Sequence, residues 1–159
     1  MNAFNIRVYG VLITEEDKVL VSDEMIRGAL ITKFPGGGLE FGEGTRDCLR
    51  REYQEELDLS IEVTDHLYTT DFFQESAFDP GNQIISIYYR VRALEPIKPV
   101  IREAPFDFDA AQLETYRLTG ECETFRLIPL HEIDPQHFHL PIDKIVAEML
   151  KSFGNRNSL

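Results

Sequence analysis

Three glutamates, Glu52, Glu55 and Glu56, stand a short distance after a run of three glycines, Gly36, Gly37 and Gly38. Their spacing of three and four puts them on one face of a helix. Like charges so placed weaken an isolated helix by roughly 0.2–0.5 kcal/mol per pair. One explanation is a solvated acidic face. The other is a site for a hard divalent cation, which prefers carboxylate oxygen. The glycines bear on the choice. A glycine run lets backbone approach a ligand closely, and a glycine loop leading into a helix favours anions. Here Glu40 and Glu43 flank it, so a bare phosphate would meet negative charge. A cation bridging phosphate to carboxylate removes that conflict. The chemistry implied is metal-assisted attack on a phosphate ester or anhydride.

The same stretch carries a family resemblance. Gly37 is followed after five residues by Glu43, and after seven more by Arg51-Glu52, Tyr53, Gln54, Glu55-Glu56, Leu57, Asp58 and Leu59. This resembles the Nudix box of the Nudix hydrolases, with every charged position at its spacing. Two positions depart from the pattern. Tyr53 stands where an aliphatic residue is usual, and Asp58 where a glycine would cap the helix.

The resemblance implies an α/β Nudix fold, a mixed β-sheet sandwiched between helices, over a single domain spanning 1–159. It implies hydrolysis of a nucleoside diphosphate linked to another group, with Mg²⁺ or Mn²⁺ as cofactor. Carried over by position, Glu52, Glu55 and Glu56 are metal ligands and the Gly37 carbonyl is a further one. Glu52 or Glu55 is alternatively the general base. Arg51 and Glu43 pair with each other or with neighbouring glutamates and orient the ligands. A base outside the box would come from Glu121 or Glu123, on the loop before a late strand. Arg7, Arg27 and Phe34 are the candidate substrate contacts. Signatures marking ADP-ribose, diadenosine polyphosphate, NADH and coenzyme A enzymes are missing, so a nucleoside triphosphate or nucleotide sugar stays open. The alternative class is a Nudix domain that senses a nucleotide or sugar without cleaving it. A homodimer is ordinary for the family.

Composition narrows the partners. The chain has 159 residues, a net charge of −12 and a pI near 4.7. That balance argues against a duplex nucleic-acid binder, which needs basic patches. It leaves small phosphate substrates open, because a bound metal reverses local charge. Cys48 and Cys122 show no metal-type spacing, and the sequence requires no disulfide. The first ten residues lack a signal peptide's pattern, and no run reaches the roughly 20 apolar residues of a membrane span. The expected compartment is the cytoplasm.

The elements that must position the box follow from periodicity. Residues 6–13 and 18–22 read as a hairpin around TEED, with Arg7 on the face opposite Ile6 and Val8. A short strand at 31–34 delivers the chain to the glycine turn. The box helix begins near Thr45 as N-cap and ends at about Leu57, with Leu49, Tyr53 and Leu57 as its apolar stripe. A strand at 60–63 follows, and strands at 67–73 and 84–94 form a second hairpin, with Phe72 and Phe73 assigned to the core. Residues 95–120, interrupted by Pro96, Pro99 and Pro105, have no clear element. A strand at 124–128, a turn or short helical piece at LHEID and an amphipathic helix over 141–153 complete the chain. The four histidines are read as structural or exposed.

Overall fold

The computed structural model describes residues 1–156. Among these described residues, three α-helices and eight strands fall into two compact units, each assembled from two segments of chain. The first contains Met1–Leu12 and Pro35–Ile97; the second contains Ile13–Phe34 and the described residues from Lys98 onward.

The first unit is built on a mixed four-stranded sheet. Strand β1 (Phe4–Leu12) runs parallel to β6 (Gln83–Ala93) on one side. On its other side it is antiparallel to β4 (Gly36–Gly38). β5 (Ile61–Thr69) pairs antiparallel with β6 at the far edge. The glycine run is therefore itself an edge strand, with Val8 opposite Gly37 and Arg7 opposite Gly38. Helix α1 (Thr45–Leu57) packs on this sheet through Cys48, Leu49, Tyr53 and Leu57. Its apolar stripe is the expected one with Cys48 added.

The ends of α1 show how local sequence sets local geometry. Gly44, not Thr45, is the N-cap. The Thr45 hydroxyl instead meets Tyr89 Oη at 2.7 Å. At the other end Asp58 adopts the left-handed conformation, φ 47° and ψ 46°, which costs an Asp less than most residues. Its N–H donates to Gln54 O, and Leu59 N–H donates to Tyr53 O. Gln54 Nε2 also donates to the Asp58 carboxylate at 2.6 Å. The box thus ends as its glycine-bearing pattern requires, without the glycine.

The second unit holds another mixed sheet, in the order β3 (Ala29–Lys33), β2 (Lys18–Ile26), β8 (Glu121–Pro129) and β7 (Ile101–Arg102). Helix α3 (Pro141–Arg156) packs against two 3₁₀ turns, at Leu130–Glu132 and Pro135–His137. Phe34 stacks on Phe138 with ring centroids 4.4 Å apart. On one side of this sheet Asp23, fully buried, takes the guanidinium of Arg126, with Nη2 2.9 Å from Oδ1. Thr32 Oγ1 donates to the same carboxylate at 2.7 Å.

Four sequence expectations change. The hairpin of 6–13 with 18–22 does not form. β1 and β2 belong to different sheets, and only the bridge between Ile13 and Val19 remains of that pairing. The two short strands at 60–63 and 67–73 are one strand, β5, which absorbs register shifts after Val63 and after His66. Phe72 and Phe73 lie beyond it and are exposed, so they are not core. Finally, 95–120 contains helix α2 (Ala110–Thr119). Asp109 and Gln112 close a capping box at its start, and Gly120, φ 82°, ends it. The three prolines all precede it. Because α2 buries no residue, it has no apolar stripe for periodicity to detect.

Removing one partner from a buried ion pair leaves an uncompensated charge. Arg126→Met should therefore lower the unfolding free energy by roughly 3 kcal/mol or more, read from urea denaturation. A loss below 1 kcal/mol would mean that Asp23 does not need the guanidinium.

Candidate active site

The centre of the site is Arg51, on the second turn of α1. Its guanidinium carries five N–H donors, and each has an acceptor. Nε and Nη2 donate to the two oxygens of Glu43, at 3.0 and 2.7 Å. Nη2 also reaches Gly38 O at 3.0 Å. Nη1 donates to Glu52 Oε1 at 3.0 Å and to Glu55 Oε2 at 3.3 Å. Glu40 Oε1 stands 3.7 Å from Nη1. One cation thus gathers the loop acids and two of the three helix acids.

The electrostatics follow from that contact. The Arg51 guanidinium, helped by a backbone N–H bond, holds the Glu43 carboxyl down to about 2. Glu43 in turn raises the pKa of Arg51. Cys48 lies beneath, its Sγ 3.5 Å from Gly38 O. Burial, reinforced by Glu43, pushes its thiol up to about 12, so it is not a nucleophile near neutrality. Tyr53 is fully buried, and burial followed by the charge of Glu56 raises its hydroxyl pKa well above the usual.

Gly37 explains why a glycine must face this helix. A Cβ there would stand 2.4 Å from the Glu52 carboxylate carbon and from its Oε1. The Glu52 carboxylate occupies the space a Cβ would need, so backbone and carboxylate share one small space. Glu52 is nearly covered, Glu56 half-buried and Glu55 exposed. Among the described residues, no three His, Cys, Asp or Glu side chains converge as a ready metal-binding group. Arg51 draws Glu52 and Glu55 to itself instead. The donor set still suits a hard cation: carboxylates on one helix face, with glycine backbone packed directly against one of them.

The matching family model is that of the NUDIX domain, over residues 4–149. The chain belongs to the Nudix family. Its α/β fold is that of solved Nudix proteins. A NUDIX hydrolase from Nitrosomonas europaea matches with TM-score 0.64 at 19% identity, covering 94% of this chain and 89% of that one. A MutT protein from Methanosarcina mazei gives TM-score 0.64 at 15% identity, covering 99% and 98%. An ADP-ribose pyrophosphatase from Streptococcus suis gives 0.55 at 16%, covering 97% and 91%. No curated protein sequence matches the chain.

The other sequence candidates are placed as follows. Arg7 lies on β1 directly opposite Gly38. Its Nε donates to Tyr9 Oη at 2.8 Å, and its Nη1 lies 3.6 Å from where a Cβ on Gly38 would be. Arg27 is exposed at the turn between β2 and β3, with φ 46°. Phe34 is completely buried, so its ring belongs to the core of its unit rather than to a ligand. Glu121 is exposed at the first position of β8. Glu123 is not in a loop but inside that strand, directly opposite Glu24. Ser22 Oγ donates to Glu123 Oε2 at 2.8 Å, and Lys33 Nζ lies 2.8 Å from Glu24 Oε1.

Two groups went unread in the sequence. Cys48 and Glu40 contribute to the Arg51 cluster, and their positions inside the box were the available signal. The Ser22–Glu24–Lys33–Glu123 group depends on strand pairing across about a hundred residues, and no local pattern announces it.

The Glu123 carboxyl is pushed up to about 7 from an ordinary 4.5 by burial, with Glu24 adding to the rise and Lys33 opposing it. A folded pKa above the unfolded one stabilises the fold fully below the unfolded value, and that stability is lost as pH rises through the folded value. Thermal midpoints of the parent should therefore fall between about pH 4.5 and 7 through this group. Glu123→Gln should flatten that part of the profile and be the more stable protein at pH 8. An unchanged slope in the variant would remove Glu123 as its source.

Proposed function

We propose that this Nudix protein hydrolyses a phosphoanhydride bond in a nucleoside diphosphate linked to another group, using Mg²⁺ or Mn²⁺. The observation carrying this reading is the packing of Gly37 against the Glu52 carboxylate, inside a cluster of acids oriented by Arg51. In this reading Glu52, Glu56 and the Gly37 carbonyl hold the cation, and Glu55 completes the set. When bound, the cation supplies neutralisation of phosphate charge and a lowered pKa for water.

The protein's own groups do the rest. Glu55, the most exposed of the three helix acids, is also placed to accept a proton from the attacking water. Arg51 has every donor committed to carboxylates and to Gly38 O, so it positions the acids rather than clamping the substrate. Glu43, held ionised, locks Arg51 from the loop side. Arg7, lying against Gly38, contributes a substrate contact. The glycine backbone, free of side chains, lets a phosphate approach the acids closely.

Proteins similar in fold carry names that include an ADP-ribose pyrophosphatase, which supports the diphosphate-linked class without selecting a member of it. We further propose that the chain acts as a single Nudix domain on a small nucleotide in the cytoplasm. Among the described residues no helix is long and apolar enough to cross a membrane.

The deciding assay incubates nucleoside triphosphates, nucleotide sugars, ADP-ribose, dinucleoside polyphosphates and NADH with Mg²⁺, Mn²⁺ or chelator. Turnover should need the cation and fall at least ~100-fold in Glu56→Gln, with the thermal midpoint unchanged or raised as repulsion on α1 drops. Near-parental rates in both Glu55→Gln and Glu56→Gln would refute the assignment. Tight cation-dependent binding without turnover would move the reading to a sensor. Arg7→Ala should raise KM and leave kcat within about twofold.

A further inference from the structure

Helix α1 meets the sheet of its unit at a second point where a glycine leaves room. A Cβ on Gly10 would stand 2.7 Å from Tyr53 Oη, 2.9 Å from Cε2 and 3.0 Å from Cζ. Tyr53 is 0% exposed, so its rigid ring has nowhere to swing. Its hydroxyl donates to Gly10 O at 3.0 Å. Gly10 N–H then donates to Pro35 O at 2.9 Å, and Pro35 directly precedes β4. A continuous path therefore runs from the middle of α1, through β1, to the start of the glycine strand.

The two glycine contacts act together. Gly37 admits the Glu52 carboxylate and Gly10 admits the Tyr53 ring, from adjacent residues of one helix turn. Val8 is the register partner of Gly37, so Gly10 lies two residues further along the same face of β1. Contact at two separated points fixes both the rotation of α1 and its position along the strand. The Nudix box pattern has an aliphatic residue at 53, which has no ring to fill this space and no hydroxyl to bond Gly10.

We propose that Tyr53 and Gly10 are a matched positioning pair: the ring fills the space that glycine leaves and the hydroxyl ties α1 to β1, so that Glu52 is held against Gly37 with Glu56 one turn further along the helix. The inference rests on the reading of Glu52 and Glu56 as cation ligands. Tyr53 touches neither substrate nor cation; it acts through its helix neighbours.

The test is a double-mutant cycle on the full chain with Gly10→Ala, Tyr53→Leu and the double variant, with Tyr53→Phe beside them. Mn²⁺ affinity by calorimetry, thermal midpoint, kcat and KM are measured for each. Gly10→Ala should weaken Mn²⁺ binding about tenfold or more alone, and less than about threefold in the Tyr53→Leu background. Tyr53→Phe keeps the ring and loses only the donor. It should weaken Mn²⁺ about threefold and lower kcat about tenfold, with KM unchanged, because small misplacement of a ligand costs rate more than binding. Equal losses from Gly10→Ala in both backgrounds would overturn the pairing. A lowered midpoint with parental Mn²⁺ affinity and kcat would make the pair ordinary core packing and overturn the positioning role. Should Gly10→Ala not fold, Tyr53→Phe and Tyr53→Leu decide: parental Mn²⁺ affinity in both refutes the inference. Glu56→Gln separates the two readings. If it retains parental Mn²⁺ affinity, the cation assignment has failed, while non-additivity of the midpoints still scores the pair.

Discussion

The Arg51 guanidinium is the contact on which the geometry of the box depends. Glutamates three and four apart on a helix repel, and Glu40 and Glu43 bring further negative charge from the loop. A single cation with five directed donors turns that repulsion into order. It pulls Glu43 and Gly38 O from the loop toward Glu52 and Glu55 on the helix. A lysine would deliver the charge without the fork that addresses three acids and a carbonyl at once. The strong downward shift at Glu43 is the other side of the same arrangement.

Charge alone does not bring helix and strand this close. The approach depends on absent side chains. Gly37 and Gly10 are the two places where α1 lies so near to backbone that a Cβ would collide. The asymmetry between them is informative. At Gly37 the neighbour is a flexible carboxylate; at Gly10 it is a rigid aromatic ring whose hydroxyl bonds the same glycine. The departure at 53 therefore has a partner elsewhere in the chain, whereas the departure at 58 is absorbed locally by a left-handed Asp and a bond from Gln54.

The box could be read because all its parts sit within one loop and one helix, where spacing alone fixes who meets whom. Arg51 bonds both Glu43 and Glu52 within that short span. Strand partners were less legible. Residues 6–13 and 18–22 look like a hairpin, since both are β-rich and the turn between them is polar. Yet β1 finds β4 and β6 while β2 finds β3 and β8. Helix α2 stayed hidden because it covers nothing, though Asp109, Gln112 and Gly120 mark both its ends. Glu123 looked like a loop residue only because β8 begins three positions earlier than its apolar pattern does.

The division of the chain into interleaved segments carries a consequence for how it is made. Ser22 reaches its partner Glu123 across 101 positions, and β1 must find β6 across some eighty. Contacts this distant make for slow folding, since much loop entropy is lost before any pairing rewards it. During synthesis the unit holding the box can close once β6 has emerged. β2 and β3 are made much earlier than β8, and until β8 appears the strand that carries Ser22 and Asp23 presents an open edge. An inward-facing carboxylate on an open edge is one of the features that deter foreign strands from pairing, and Asp23 holds such a position on β2 until Arg126 of β8 arrives to pair with it.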